Sequence, residues 1–291
     1  MDGAPATAPG LVRPHLVGLP IYKMTGSGND FVMVDARVSG PDGWTPADIQ
    51  AACARGTGVG ADGLVFLSPG SQRGAVRMIY FNSDGSRAAM CGNAALCSTT
   101  LAAHLTLGAP EGMDLETDAG TYRARTAGPA GGGRAELGLA PVEPPVALPG
   151  LRLAAGEQRA ALGQVGVPHL VVLVADVDDL ELAGRGRALR FDPAVGPEGA
   201  NVNFISPAQA EGAWRMRTYE RGVEGETLAC GTGSVAAACA IQEWGLGRVA
   251  INIVTRSGRL LEIKATKGST GRYEDVWLAG EGRMVFRGVL A

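Results

Sequence analysis

The chain has 291 residues, 46% of them hydrophobic and 19% charged, with a net charge of -3. That suffices for one large or two modest soluble domains. The near-neutral balance and the lack of a Lys/Arg cluster exclude nucleic acid and membrane surfaces as expected partners, and no apolar run reaches membrane-spanning length.

The first residues, "MDGAPATAPGLVRPHL", are rich in Ala and Pro and have no charged start ahead of an apolar core. Residues 1–19 therefore read as a disordered tail and not a signal peptide, and a cytoplasmic protein is expected. "NDFVMVD", from Asn29, is apolar and β-branched and predicts a buried strand. "TPADIQAACARG" predicts a helix with Thr45 as N-cap, Pro46 in the first turn and Gly56 as the stop. The glycine-rich "GTGVGADG" then follows a helix and precedes the strand "LVFLS", the reverse of the order a dinucleotide loop requires. Next come "VRMIYFNSDG", a strand, and "RAAMCGNAALCSTTLAAHL", a small-residue helix with Cys91 at its mouth. Gly/Pro-rich breaks lie at 126–133 and 141–150, the second read as a linker. "VPHLVVLV", "GANVNFI" and "WRMRTYERG" predict strands, and "ETLACGTGSVAAACA" a second small-residue helix behind Cys230. The terminal "RMVFRGVL" reads as a strand returning to the first half.

Five cysteines are present, at 53, 91, 97, 230 and 239, with only three histidines, and no C-x-x-C occurs. No metal site is expected from so scattered a set. Cys53, Cys97 and Cys239 read as small buried apolar residues. None of the three lysines, Lys23, Lys264 and Lys267, sits in a phosphate-cradling context, so no pyridoxal lysine and no cofactor are expected.

The blocks recur. Gly60 in "GADGLVF" precedes Cys91 by the same interval as Gly199 in "GANVNFI" precedes Cys230, and matching strands lie between and before them. Four blocks in one order argue for an internal duplication. Two such halves pack about a pseudo-two-fold axis, with an active site expected in the cleft between them.

A helix N-terminus offers unpaired N–H groups and a partial positive charge, which favour a thiolate and bind carboxylate. Gly92 and Gly231 admit a ligand close to the backbone. Asn93 and Thr232 add polar side chains. An α-amino acid held there would have one sulfur on each face of its α-carbon. One thiolate removes the α-proton and the other thiol returns one to the opposite face.

With these motifs in place, the chain resembles the diaminopimelate epimerase family from about Tyr22 onward. The matching blocks are "KMTGSGNDFVMVD", "GTGVGADG", "FNSDGS", "MCGN", "VPHLVV", "GANVNF", "YERGVEGETLACGTG" and "GEGRMVFRG". The resemblance implies two similar α/β domains, each a β-barrel-like sheet wrapped around a central helix. They are expected at 20–140 plus 280–291 and at 141–279. It implies a homodimer and the interconversion of LL- and meso-diaminopimelate. It implies Cys91 and Cys230 as the bases, and Gly92, Asn93, Gly231 and Thr232 around the reacting carboxylate. Asn29 then lies near the reacting amino group. Asn82, Asn201 and Arg221 hold the distal carboxylate, and Glu220 the distal ammonium. Read alone, Asn29, Asn82 and Asn201 suit turns and Glu220-Arg221 a solvated pair. The chain departs from the family pattern at Ala94 and Leu96, at Gly63, where some members carry glutamine, and at Val167, where many carry asparagine. A racemase of another amino acid, such as histidine, is the alternative.

Overall fold

A computed structural model describes residues 14–128, 132–210 and 212–291. Its contacts divide the chain into two units, Met1–Ala135 with Glu281–Ala291, and Glu136–Gly280.

In the first unit, strand Pro20–Gly26 pairs antiparallel with Asn29–Asp35, Tyr22 opposite Met33. Its other edge takes Arg283–Val289, Pro20 opposite Val289. Helix α1, Pro46–Cys53, carries the chain to Gly63–Pro69, which runs parallel to Asn29–Asp35 with Phe31 opposite Gly63. Ala75–Asn82 returns antiparallel. Helix α2, Gly92–His104, then leads to Met113–Thr117, parallel to Ala75–Asn82, and Gly120–Thr126 closes the series.

The second unit repeats this order. Glu157–Val165 pairs antiparallel with Val167–Val174; helix α3, Leu182–Arg190, leads to the parallel strand Asn201–Pro207. Ala213–Glu220 returns antiparallel, and helix α4, Gly231–Glu243, leads to Ala250–Val254, parallel to it, and then Leu260–Lys267. Where the first unit uses the C-terminal strand as a neighbour, the second uses the short strand Val146–Ala147 on Glu157–Val165. The expected mixed α/β architecture with one central helix per unit is present.

Local chemistry sets the helices. Thr45 and Asp48 form a reciprocal capping box and Pro46 opens α1, which ends at Cys53; Gly56 lies beyond the cap with φ +90°. α2 and α4 are apolar on nearly all sides, which suits a helix buried within its own unit. Ala94, Ala95, Leu96 and Cys97 on α2 and Ala236 to Ala240 on α4 are fully buried. Their small side chains favour helix and let strands approach closely. Polar residues in the same helices return hydroxyls to their own backbone, Ser98 to the Ala94 carbonyl at 2.8 Å and Ser234 to the Cys230 carbonyl at 2.9 Å. Leu96, where the chain departs from the family pattern, is fully buried among these side chains.

One expectation needs correction. Residues 1–13 of the tail read as disordered lie outside the described residues, as do residues 129–131 of the first Gly/Pro break. Residues 14–19, however, are ordered: Pro14–Leu16 is a 3-10 turn and Leu16 is only 2% exposed, packed with Ile21 and Leu290 in the first unit's core. Leu16 is a large apolar side chain, and burying it contributes about 2 kcal/mol toward ordering the short segment that carries it.

Candidate active site

Cys91 and Cys230 occupy the same position in the two units. Each is the N-cap of a 13-residue helix, with extended backbone at φ −140° and −128°. The Cys91 carbonyl accepts from the Ala95 N–H at 2.9 Å and the Cys230 carbonyl from Ser234 at 2.9 Å, so the helices begin directly after the thiols. Neither sulfur is spent capping its own helix. The first-turn N–H groups of Gly92, Asn93, Gly231 and Thr232 have no partner within the helix. Cys91 is half-buried and Cys230 is 8% exposed, with its Sγ 3.8 Å from Thr232 Oγ1.

The other three thiols are unsuited to proton transfer. Burial pushes Cys53 and Cys239 up to about 12 and Cys97 well above its usual range.

In the first unit, Asn29 and Asn93 meet: Asn93 Nδ2 donates to Asn29 Oδ1 at 2.7 Å. Asn29 Nδ2 donates onward to Asp62 Oδ2 at 2.8 Å. Arg55 reaches Asp62 at 2.7 Å and Asp30 at 2.6 Å, and Lys23 holds Asp30 at 2.6 Å and the Gly60 carbonyl. Burial opposes the Asp30 charge, but hydrogen bonds from Arg55 and Lys23 outweigh it and bring the carboxyl down to about 2. Gly60 has φ +76°, and so does its counterpart Gly199 at +62°, a conformation open to glycine at little cost. Asn82 ends its strand opposite Gly63 and donates to Ser86 Oγ at 3.0 Å, a turn contact. A Cβ at Gly63 would press on the Tyr80 ring and the Phe81 carbonyl. Tyr80 thus fills the space beside residue 63, which accounts physically for glycine there.

In the second unit, Asn201 is buried and its Oδ1 accepts from the Arg221 N–H at 2.7 Å. The Arg221 guanidinium makes only a loose 3.4 Å contact with the exposed Glu198. Burial raises the Glu220 carboxyl, and no Lys or Arg pairs with Glu220 among the described residues. Val167 begins its strand at the Val165 turn. Beside α4 lies a buried polar cluster. Thr218 Oγ1 donates to Asn203 Oδ1 at 3.0 Å, and Asn203 Nδ2 lies 3.3 Å from His169 Nδ1. Burial brings His169 down to about 4, so its ring is neutral near pH 7.

The structure therefore joins Cys91, Gly92, Asn93 and Asn29 in one cluster, and places Asn82 opposite Gly63. It joins Cys230, Gly231 and Thr232 in another, with Asn201, Glu220 and Arg221 linked nearby in sequence and by hydrogen bond. Sequence reasoning missed Lys23, Asp30, Arg55 and Asp62, and the Asn203–Thr218 pair. The signal for Asp62 was its place in "GADG", between the two paired parallel strands. Among the described residues no His/Cys/Asp/Glu group is arranged to hold a metal ion, and no helix is long and apolar enough to cross a membrane.

The fold is shared with solved structures of diverse named activities. It matches a phenazine biosynthesis protein of the PhzF family from Bacillus anthracis with TM-score 0.67 at 15% identity, covering 93% of this chain and 98% of that one. It also matches a hydroxyproline epimerase from Agrobacterium vitis with TM-score 0.62 at 17% identity, covering 94% and 92%. The sequence is more specific. The diaminopimelate epimerase family profile matches residues 21–132 and 162–275. Diaminopimelate epimerase of Gemmatimonas aurantiaca is 46% identical, over 94% of this chain and 99% of that one; that of Aquifex aeolicus is 37% identical, over 94% and 98%. The chain belongs to the diaminopimelate epimerase family and is an enzyme of the isomerase class.

Proposed function

We propose that the protein interconverts LL- and meso-diaminopimelate by two-base proton transfer, with Cys91 and Cys230 as the bases. The observation that carries this reading is the equivalence of the two thiols: each is the N-cap of its unit's central helix, while burial disables the other three. One cysteine, as thiolate, takes the α-proton. The other, as thiol, protonates the opposite face of the carbanion. The electron pair left on carbon is delocalised onto the carboxylate, whose charge the first-turn N–H groups stabilise. The return reaction exchanges the roles, and no electron is gained or lost.

The remaining site residues divide by substrate end. Gly92, Asn93, Gly231 and Thr232 bind the reacting carboxylate and Asn29 lies at the reacting amino group. Asn82, Asn201 and Arg221 take the distal carboxylate, and Glu220 the distal ammonium. The loosely paired Arg221, and Glu220 with no Lys or Arg partner among the described residues, support a ligand with a charge of each sign at its far end. Val167 supplies no polar contact, at a cost of about 1 kcal/mol if one hydrogen bond is lost. That is too little to reverse a preference set by two charges. A cytoplasmic homodimer serving lysine and peptidoglycan precursor synthesis belongs to the same reading. It rests on family membership and on thiol chemistry that a reducing compartment preserves.

The test is exchange of α-hydrogen with deuterated solvent, comparing LL-diaminopimelate with L-histidine, L-lysine and L-glutamate. Diaminopimelate should have the highest kcat/KM, and Cys91→Ala and Cys230→Ala should each abolish epimerisation without unfolding the protein. Preference for histidine would assign another racemase activity. Near-normal turnover by either variant would overturn the two-base mechanism.

A further inference from the structure

The first unit holds a chain of polar contacts whose direction is fixed at one end. Asp62, paired with Arg55 at 2.7 Å, is a carboxylate and can only accept hydrogen bonds. It accepts from the Asp30 backbone N–H at 3.1 Å and from Asn29 Nδ2 at 2.8 Å. Asn29 must therefore turn its Nδ2 to Asp62 and its Oδ1 away. That oxygen faces Asn93 and accepts from Asn93 Nδ2 at 2.7 Å. Asn93 in turn has its Nδ2 committed, and its Oδ1 is left buried with no hydrogen-bond partner in a residue only 5% exposed. Buried amide oxygens almost always have a donor, so a donor from a ligand is the natural completion. Asn93 stands two residues beyond Cys91, in the first turn of α2. A Cβ on the intervening Gly92 would meet nothing within 4 Å, so there is open space in front of the turn.

We propose that Asp62, held by Arg55, is a positioning residue. Through Asn29 it fixes the amide of Asn93 so that Asn93 Oδ1 receives a hydrogen bond from the α-ammonium group of the substrate. This rests on the two-base reading above, which fixes the substrate as an amino acid bound at Cys91. Without the anion at 62, Asn29 is free to reverse, Asn93 reverses with it, and an N–H group is presented to a cation. The ammonium is unchanged through proton transfer at carbon, so the loss falls on substrate binding.

The test compares wild type with Asp62→Asn, which keeps size and polarity, Asp62→Glu, which keeps the acceptor, and Arg55→Gln, on an exposed side chain. Deuterium exchange gives kcat and KM for diaminopimelate, and inhibition by pimelate, the same diacid without ammonium groups, gives its Ki. Expected for Asp62→Asn is a KM raised on the order of tenfold or more, with kcat and the pimelate Ki close to wild type. Arg55→Gln should move the same way by less, and Asp62→Glu should recover part of the loss. An unchanged KM in Asp62→Asn, or equal weakening of diaminopimelate and pimelate, overturns the proposal, the latter by indicating a general collapse of the site. Should Asp62→Asn fail to fold, Arg55→Gln decides by the same criteria. If wild type is idle on diaminopimelate, the substrate assignment fails by itself. The comparison then runs on whichever amino acid it exchanges, since every amino acid brings an α-ammonium.

Discussion

Glu220 is placed where its neutral form is the more comfortable one. Burial lifts its carboxyl above the ordinary 4.5, and the Arg221 guanidinium next to it in sequence reaches toward Glu198 instead. For an acid raised in the folded state, the penalty is absent at low pH, where the group is protonated folded and unfolded alike. It grows as pH rises through the folded value. Glu220→Gln should therefore raise Tm near pH 7 and leave it nearly unchanged near pH 4, while KM for diaminopimelate rises. Calorimetry at the two pH values with a parallel rate assay checks this, and a Tm loss at pH 7 would mean that Glu220 supports the fold and is not held ready for a ligand. Gly63 makes a related point. Its departure from the family pattern looked like a missing contact, yet a side chain there would run into Tyr80, whose ring takes up the space.

The two N-capped helices are the elements that the sequence most clearly announced. A cysteine, then glycine, then a run of small helix formers dictates both a thiol at the helix mouth and a helix thin enough to be surrounded by strands. The supporting network was not legible in the same way. Asn203, His169 and Thr218, or Asp62, Arg55 and Asn29, come from segments far apart in the chain, and each alone reads as a turn residue or a solvated charge. Strand register brings them together, with Phe31 opposite Gly63 and His169 opposite Asn201, and register is a property of the pairing and not of either strand. Packing at the helix mouths yields a contrast between two glycines. A Cβ at Gly233 would lie 3.1 Å from Cys230 Sγ and even closer to Asn203 Oδ1, so Gly233→Ala should cost about 1–3 kcal/mol of stability and displace the thiol. Gly92→Ala meets no protein atom and should gain up to about 1 kcal/mol from helix propensity, yet lose activity because the methyl enters the space kept for the ligand. Chemical denaturation of both variants beside their exchange rates would separate the cases. Two equal stability losses would contradict the packing described for Gly92.

At the scale of the whole molecule, residues 14–26 and 283–291 belong to the same unit. Arg283–Val289 lies along Pro20–Gly26, Leu290 is buried in the first unit's core, and backbone bonds tie Leu290 to Gly18 at 2.7 Å and to Leu19 at 3.0 Å. Deleting residues 282–291 should therefore unsettle residues 14–135 and spare 136–280. Limited trypsin digestion with mass mapping should find early cuts in the first segment and a persistent fragment from the second. Simultaneous loss of both would show that their stabilities are not separable in this way.

That same closing strand sets an order of events during synthesis. The ribosome makes residues 14–135 early, whereas Arg283–Val289, which pairs with Pro20–Gly26, emerges much later. The second unit has its whole complement of strands in hand before then. Domains ordinarily fold in the order in which they emerge. Here the half made first is finished after the other, and the Pro20–Gly26 edge stays unpaired until Arg283–Val289 emerges.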